Sequence, residues 1–162
     1  SRMRRKYDTA EFFAVTERLR RYFPHCGLTA DLITGFPGET EADHRDTLAF
    51  IERCAFSSMH VFPYSRRPGT PADKLPEQLT ARVKSARAAE AHELAERMKA
   101  EYLSSCVGET LEVLFETEHE GVSAGHASNY VEVRVPGTGL RGLVRNVQIS
   151  AVSGEMLVGA AI

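Results

Sequence analysis

The first hundred residues combine helical periodicity with short apolar runs. Apolar side chains recur at three-and-four spacing over 9–22, after Thr40 and over 79–104, which predicts three amphipathic helices. Thr40 and Asp43 have the spacing of a capping box, so the second helix is expected to begin there. Two apolar runs, GLTADLIT and SSMHVFPY, alternate with the helices and predict parallel strands buried on both faces.

The pattern changes after Gly108. Short β-branched runs follow one another there, separated by Gly, Asn and Pro-Gly. The runs are TLEVLFETE, GVSAGHA, YVEVRVPG, RGLVRNVQISAV and EMLVGAAI. Five short strands with turn signals between them predict a small closed β-barrel. The predicted fold class is therefore α/β followed by all-β, with a boundary near residue 100.

Composition adds few constraints. The chain has 162 residues, 43% of them hydrophobic and 26% charged, which is ordinary for a globular protein. It contains no apolar run near eighteen residues, so no membrane span is predicted. Cys26, Cys54 and Cys106 have neither metal-ligand nor disulfide spacing, which fits a reducing cytoplasm.

Charge is distributed unevenly although the net charge is only −2. Residues 1–22 carry seven basic and three acidic side chains, whereas residues 102–162 carry three arginines and seven glutamates. A basic segment is suited to phosphate groups, and the acidic tail is a poor electrostatic match for nucleic acid.

The stretch TGFPGET follows the first predicted strand, at the end where parallel sheets bind ligands. Gly35 would let a ligand approach the backbone closely, and Pro37-Gly38 favours a type II turn. An ordinary strand-to-helix connection has the same residues, so both interpretations stay open. Asp31 lies within the strand, where a buried carboxylate needs a partner or a task.

The second candidate stretch is FPYSRRPGTPA, which follows the second strand. Phe62 and Tyr64 are suited to flank a flat ring, and Arg66 and Arg67 to meet a phosphate or carboxylate. A solvated loop next to two core aromatics remains the alternative.

Four segments in this order resemble the radical SAM methylthiotransferases. They are MRRKY, LTADLITGFPGETEADHRDTLAFI, HVFPYSRRPGTPA and the tail NYVEVRVPGTGLRGLVRNVQISAVSGEMLVGAAI. The resemblance covers nearly the whole chain. It implies that residues 1–100 are the carboxyl-terminal part of a parallel βα radical SAM barrel with a linker helix. Residues 101–162 would then be a TRAM domain, a five-stranded OB-like β-barrel that binds RNA.

The resemblance also implies S-adenosyl-L-methionine and two 4Fe–4S clusters as cofactors. The six cysteines that hold the clusters in the family have no counterpart here, since Cys26, Cys54 and Cys106 do not match their spacing. The opening SRMRRKYD is not typical of a natural start. We therefore expect a carboxyl-terminal piece of a longer chain, without catalytic or metal-ligating residues and inactive without its amino-terminal domains.

The resemblance assigns two groups of residues to ligands. The SAM pocket is expected at Asp31, Thr34, Gly35, Phe62, Pro63 and Tyr64. The family pattern GxIxGxxE is matched only in part, because Asp occupies position 31 and Glu39 comes one step late. The expected substrate or RNA contacts are Arg4, Arg5, Arg66, Arg67, Asn129, Tyr130, Arg134 and Arg141.

The segment HVFPYS is most similar to the MtaB branch of the family, which modifies threonylcarbamoyladenosine beside the tRNA anticodon. The expected substrate partner is therefore tRNA. Branches that act on isopentenyladenosine in tRNA or on a ribosomal protein share much of the pattern. A non-catalytic RNA-binding module is the alternative of a different class.

Overall fold

The computed structural model describes residues 5–162, and Arg4 lies outside them. The described chain has three long helices, two parallel strands and five further strands. In chain order they are α1 (Thr9–Tyr22), β1 (Thr29–Thr34), α2 (Glu41–Cys54), β2 (Ser58–Pro63), a short 3₁₀ helix (Pro71–Lys74), α3 (Ala81–Ser105), β3 (Thr110–His119), β4 (Val122–Ala127), β5 (Glu132–Pro136), β6 (Val144–Ser153) and β7 (Met156–Ala161). The helices and strands predicted from the sequence are all present.

The chain divides into two compact units. The first contains the described residues up to Phe13 and Leu28–Lys99, and the second contains Ala14–Gly27 and Ala100–Ile162. The segment 14–27 thus groups with the carboxyl-terminal residues, although it lies on the other side of the predicted boundary.

The first unit is built on a β1–α2–β2 crossover. β1 and β2 pair in parallel, with Asp31 opposite His60 and Ile33 opposite Phe62. The predicted capping box begins α2, because the Thr40 side chain accepts the Asp43 N–H and the Asp43 carboxylate accepts the Thr40 N–H. This confirms the predicted helix start.

The prediction that both faces of this sheet are buried was wrong. Val61 packs with alanines of α3, and Leu32 lies partly buried on the same side. Asp31, His60 and Phe62 on the other side are exposed. Among residues 5–162, the helices cover only one side of the two-stranded sheet. Asp31 is therefore not buried in the strand, as the sequence had suggested, but lies on the open side.

The second unit contains a closed barrel with the strand order β3-β4-β5-β7-β6. All its neighbouring strands are antiparallel except β5 and β7, which pair in parallel. Alternate residues of the strands point inward, and Val113, Phe115 and Val133 are fully buried. Leu103 and Cys106 pack against the same core. The five predicted strands and the closure of the barrel are confirmed.

Candidate functional site

The open side of the β1–β2 sheet carries four side chains in two facing pairs. Asp31 and Ile33 of β1 lie opposite His60 and Phe62 of β2. Phe62 is 51% exposed and Ile33 is 42% exposed, which is unusual for large apolar side chains on a sheet. The His60 and Phe62 rings stack with centroids 6.4 Å apart. This side therefore offers an apolar surface bordered by one carboxylate and one imidazole.

A cavity of about 700 Å³ lies along β1. Asp31, Ile33 and Phe62 line it from the sheet, and Phe36, Glu39 and Asp43 line it from the turn and α2. Arg5 is also at its wall, so the structure brings this predicted substrate residue together with the predicted SAM residue Asp31.

A second cavity, of about 560 Å³, lies beyond the carboxyl ends of both strands. Its walls include Phe62, Pro63, Tyr64 and Arg67. Ile33 and Phe62 line both cavities. Six of the predicted ligand residues therefore line one or other of two neighbouring cavities: Arg5, Asp31, Phe62, Pro63, Tyr64 and Arg67.

The turn after β1 has the predicted type II geometry. The Glu39 N–H donates to the Phe36 carbonyl across 2.9 Å, and Gly38 has a φ of +75°. Lys84 occupies one side of Gly35, since a Cβ at Gly35 would come within 2.5 Å of Lys84 Cγ. The expected approach of a ligand to the Gly35 backbone stays a prediction. Gly35 also has a φ of +73°, which favours glycine.

A buried polar network holds this turn, and sequence analysis missed it. The Glu39 carboxylate accepts the Gly35 N–H and a hydrogen bond of 3.1 Å from Arg87 Nη1. Arg87 also donates to the Glu39 carbonyl, at 2.8 Å. The exposed fraction is 8% for the Arg87 side chain and 12% for that of Glu39. The only sequence signal was the carboxylate at the end of the Pro-Gly turn, because Arg87 looks like any other charged residue of α3.

His44 of α2 extends this polar network. Its side chain is fully buried, Nε2 lies 3.1 Å from Glu90 Oε2 and Nδ1 lies 3.7 Å from Glu39 Oε1. The network therefore connects the turn to α2 and α3.

Two buried hydroxyl groups lack partners among the described residues, and one of them belongs to Tyr64, which lines the second cavity. Thr34 is fully buried, and its Oγ1 has no hydrogen-bond partner in residues 5–162; the same is true of the Tyr64 hydroxyl. The backbone there is well held, since the Tyr64 N–H donates to the Thr34 carbonyl at 2.7 Å. Buried hydroxyls without partners are rare, which makes these two oxygens candidates for polar groups of a ligand.

The predicted arginine pair has two different surroundings. Arg66 Nε lies 2.5 Å from Asp73 Oδ1, and Arg66 Nη2 donates to the Asp73 carbonyl. Arg67 is exposed and lines the second cavity. Arg67 is thus better placed than Arg66 to meet an anionic group.

The predicted RNA residues of the barrel also separate into two groups. Asn129 is 9% exposed, and its Nδ2 donates to the Tyr102 hydroxyl at 3.0 Å while its Oδ1 accepts the Val131 N–H. These contacts give Asn129 a structural task. Tyr130 is 89% exposed with a φ of +65°, and Arg134 and Arg141 are exposed as well.

Tyr102 lies in a compact polar cluster of the second unit. Its hydroxyl donates to the His25 carbonyl at 3.0 Å. Burial, followed by the nearby Cys106 thiol, raises the pKa of Tyr102 to about 12. Burial also raises the pKa of the Cys106 thiol. Both side chains therefore stay neutral and serve packing.

The described residues contain no metal site. In 5–162, no group of three or more His, Cys, Asp or Glu side chains is arranged to hold a metal ion. Nor does any described helix have the length and apolar character needed to span a membrane.

Comparison with known proteins finds close relatives along most of the chain. It is 42% identical to the threonylcarbamoyladenosine tRNA methylthiotransferase MtaB of Bacillus subtilis over 85% of the chain and 32% of that protein. It is 39% identical to the tRNA-2-methylthio-N(6)-dimethylallyladenosine synthases of Clavibacter michiganensis and Maricaulis maris. Those matches cover 99% and 98% of the chain and 29% and 35% of the relatives.

The chain thus spans about a third of the length of these relatives. No family model matches it. The ordered motifs of the sequence and these relatives lead to the same assignment: the chain belongs to the radical SAM methylthiotransferase family.

Proposed function

We propose that this chain is part of a tRNA methylthiotransferase that adds a methylthio group to N6-threonylcarbamoyladenosine beside the anticodon. The observation that carries the proposal is the 42% identity to a relative named for this substrate, over 85% of the chain. The open, apolar side of the β1–β2 sheet, with cavities at its ends, supports a ligand-binding role for the first unit.

The proposed domains are those expected from the sequence. Residues 1–100 would form the closing part of a radical SAM barrel, and residues 101–162 a TRAM domain. The parallel β1–α2–β2 unit and the closed five-stranded barrel are compatible with this assignment.

S-adenosyl-L-methionine is the ligand that we propose for the two cavities. The exposed ring of Phe62 and the apolar wall formed with Ile33 and Pro63 suit a flat purine. The unpartnered hydroxyl of Tyr64, a residue that lines the second cavity, would supply a hydrogen bond to a polar atom of the ligand. When bound, SAM supplies the radical and methyl chemistry of the reaction.

The protein side chains in this proposal bind and orient. Asp31 would meet a cationic or hydroxyl group of SAM, because it lies on the open side with its carboxylate exposed. Arg5 and Arg67 would meet anionic groups from the two cavity walls. The described residues do not fit 4Fe–4S clusters, which need cysteine sets that they lack.

A second substrate has support of its own. Several relatives, at 35% to 42% identity, are named for methylthiolation of dimethylallyladenosine in tRNA. The alternative is therefore the same reaction on that nucleoside. Methylthiolation of a ribosomal protein by the same scaffold remains a third proposal.

Nucleoside mass spectrometry of tRNA from a deletion strain tests the substrate. Loss of the methylthio group from threonylcarbamoyladenosine supports our proposal, and its loss from dimethylallyladenosine supports the alternative. An unchanged tRNA profile overturns both. In complementation, Phe62→Ala in the full-length protein should restore less of the mark than wild type. Val152→Ala, an exposed apolar position in the barrel, should restore it fully.

A further inference from the structure

The carboxyl-terminal end of α1 presents cations and aromatic rings together at the surface. Arg18, Arg21 and Tyr22 lie on adjacent positions of the helix surface, three and four residues apart. Tyr22 is 72% exposed and the following Phe23 is 61% exposed. We call these four residues the basic–aromatic end of α1.

These groups are not used by the fold of the described chain. Arg20 contacts Glu17 at 3.5 Å, whereas neither Arg18 nor Arg21 forms an ion pair within residues 5–162. Nor does either aromatic ring contact another ring in that range. Two large exposed aromatic rings beside exposed guanidinium groups form a mixed apolar and cationic patch, and such patches often mark interaction sites.

The rest of the same compact unit has the opposite charge. Residues 100–162 carry eight glutamates and three arginines. Of those arginines, Arg134 is already 3.0 Å from the Glu132 carboxylate. Segment 14–27 carries three arginines and one glutamate. It is therefore the part of the unit with a net positive charge.

The attachment of this end to the unit is fixed by local contacts. The His25 carbonyl accepts a hydrogen bond from Tyr102, and His25 Nε2 lies 3.7 Å from Glu109 Oε2. The α1 end is therefore held against the residues that lead into the barrel.

We infer that the basic–aromatic end of α1 is an RNA contact of this unit, where Arg18 and Arg21 neutralise phosphates and Tyr22 and Phe23 stack on unpaired bases of a tRNA. The partner is RNA because guanidinium groups beside exposed aromatic rings match the phosphates and base faces of unpaired nucleotides. The inference rests on the proposed tRNA substrate. It shifts the main electrostatic contact from the acidic barrel to the helix that groups with it.

The charge contribution is tested with the natural full-length protein and unmodified tRNA, by measuring affinity across a salt series. Arg18→Glu with Arg21→Glu should weaken binding by about tenfold or more. The steepness of the negative slope of log affinity against log salt should also fall by about 1.5. Each lost phosphate contact lowers this steepness by about 0.7–0.9, and two contacts are lost. The control is Arg45→Glu with Arg82→Glu, two exposed arginines outside this surface, which should leave the slope within about 0.3 of wild type.

The aromatic contribution is tested separately. Tyr22→Ala with Phe23→Ala should weaken tRNA binding by about tenfold while leaving the salt slope unchanged, because stacking releases no counterions. Circular dichroism of each variant shows whether the fold is retained. If the aromatic variant does not fold, Tyr22→Leu keeps the apolar contact but removes the ring, and the same loss is expected.

The outcomes separate this inference from the proposed function. If wild type binds tRNA and the helix variants bind as tightly, or if the control variant loses as much, the inference is overturned and the proposed substrate stands. If the helix variants change only self-association, the surface contacts protein and the inference is overturned. If wild type does not bind tRNA at all, the proposed function fails first.

Discussion

Glu39 and Arg87 show how a single pair of charges fixes the candidate site. The Glu39 carboxylate receives N–H groups from Gly35 and Arg87, and Arg87 also binds the Glu39 carbonyl. Both side chains are nearly buried, so each is costly without the other. The shape of the turn that lines the first cavity therefore depends on a residue 48 positions away in the sequence.

Arg87→Met should lower the free energy of unfolding by about 3 kcal/mol, because it leaves a largely buried carboxylate without its cation. The matched control is Arg97→Met on the same helix. Arg97 pairs with Glu52, but both side chains are more than half exposed, and the loss should be under about 0.5 kcal/mol. Chemical denaturation measures both values. Equal losses would show that the Glu39 pair does not hold the turn.

Glu118 makes the stability of the barrel depend on pH. Hydrogen bonds from the Arg141 N–H first, and then from Leu140 and Gly139, hold the pKa of Glu118 below its usual 4.5. The ionised form is the one that binds these groups. The stability that ionised Glu118 contributes is therefore present above the pKa that its carboxyl has in the unfolded chain. This stability is lost as the pH falls through the lower pKa of the folded protein.

Glu118→Gln should accordingly be less stable than wild type at neutral pH, and the difference should shrink as the pH drops below about 4.5. Thermal melts across a pH series measure this difference. Glu112→Gln removes the same charge from an exposed position on β3 and serves as the control. A Glu118→Gln difference that stays constant down to pH 2 would contradict the role of the ionised carboxylate.

At the scale of elements, β3 and β4 meet where only glycine is tolerated. A Cβ at Gly125 would lie 1.9 Å from the Leu114 carbonyl oxygen, next to the register shift between Phe115 and Thr117. Both strands belong to the closed barrel. The sequence showed a glycine in a strand, but not which backbone atom approaches it.

Gly125→Ala should therefore lower the free energy of unfolding by about 3 kcal/mol or prevent folding, since backbone cannot move aside cheaply. Gly121→Ala is the control. Its Cβ would meet nothing within 4 Å, so only its positive φ is penalised, by about 1 kcal/mol. Urea titration compares the two variants. Similar losses at both positions would mean that β3 can shift to accommodate the methyl group.

At the scale of the whole molecule, residues 5–162 carry two cavities that are candidate ligand sites, but no arranged set of metal ligands. Among residues 5–162, none of Cys26, Cys54 and Cys106 forms a disulfide, and the latter two are buried. They lie in three different parts of the sequence, and no His, Asp or Glu joins them in a metal-binding group within residues 5–162. The candidate site thus consists of cavity walls, whose role we propose to be binding and orienting a ligand.

We expect the 162-residue chain alone to take up no iron–sulfur cluster, because three cysteines without cluster spacing cannot supply the ligands. Iron content and visible absorbance after anaerobic reconstitution measure uptake. The natural full-length protein, treated in the same way, is the positive control. Stoichiometric cluster formation on the chain alone would overturn the expectation.

The sequence by itself determined the local elements. Periodicity predicted α1 over 9–22, the Thr40–Asp43 box predicted the start of α2, and short β-branched runs separated by turn residues predicted five barrel strands. These features depend on neighbours a few residues apart, so the sequence contains the information directly. The order of the motifs likewise identified the family.

Only the tertiary structure decided which surfaces are covered and which polar groups meet. It placed Asp31 and Phe62 on an open side, placed Lys84 on one side of Gly35, and buried Asn129 against Tyr102. Each of these outcomes depends on contacts between segments far apart in the sequence. Residue type and spacing do not specify such contacts, because a strand or helix pattern shows that one face is apolar without showing what packs against it.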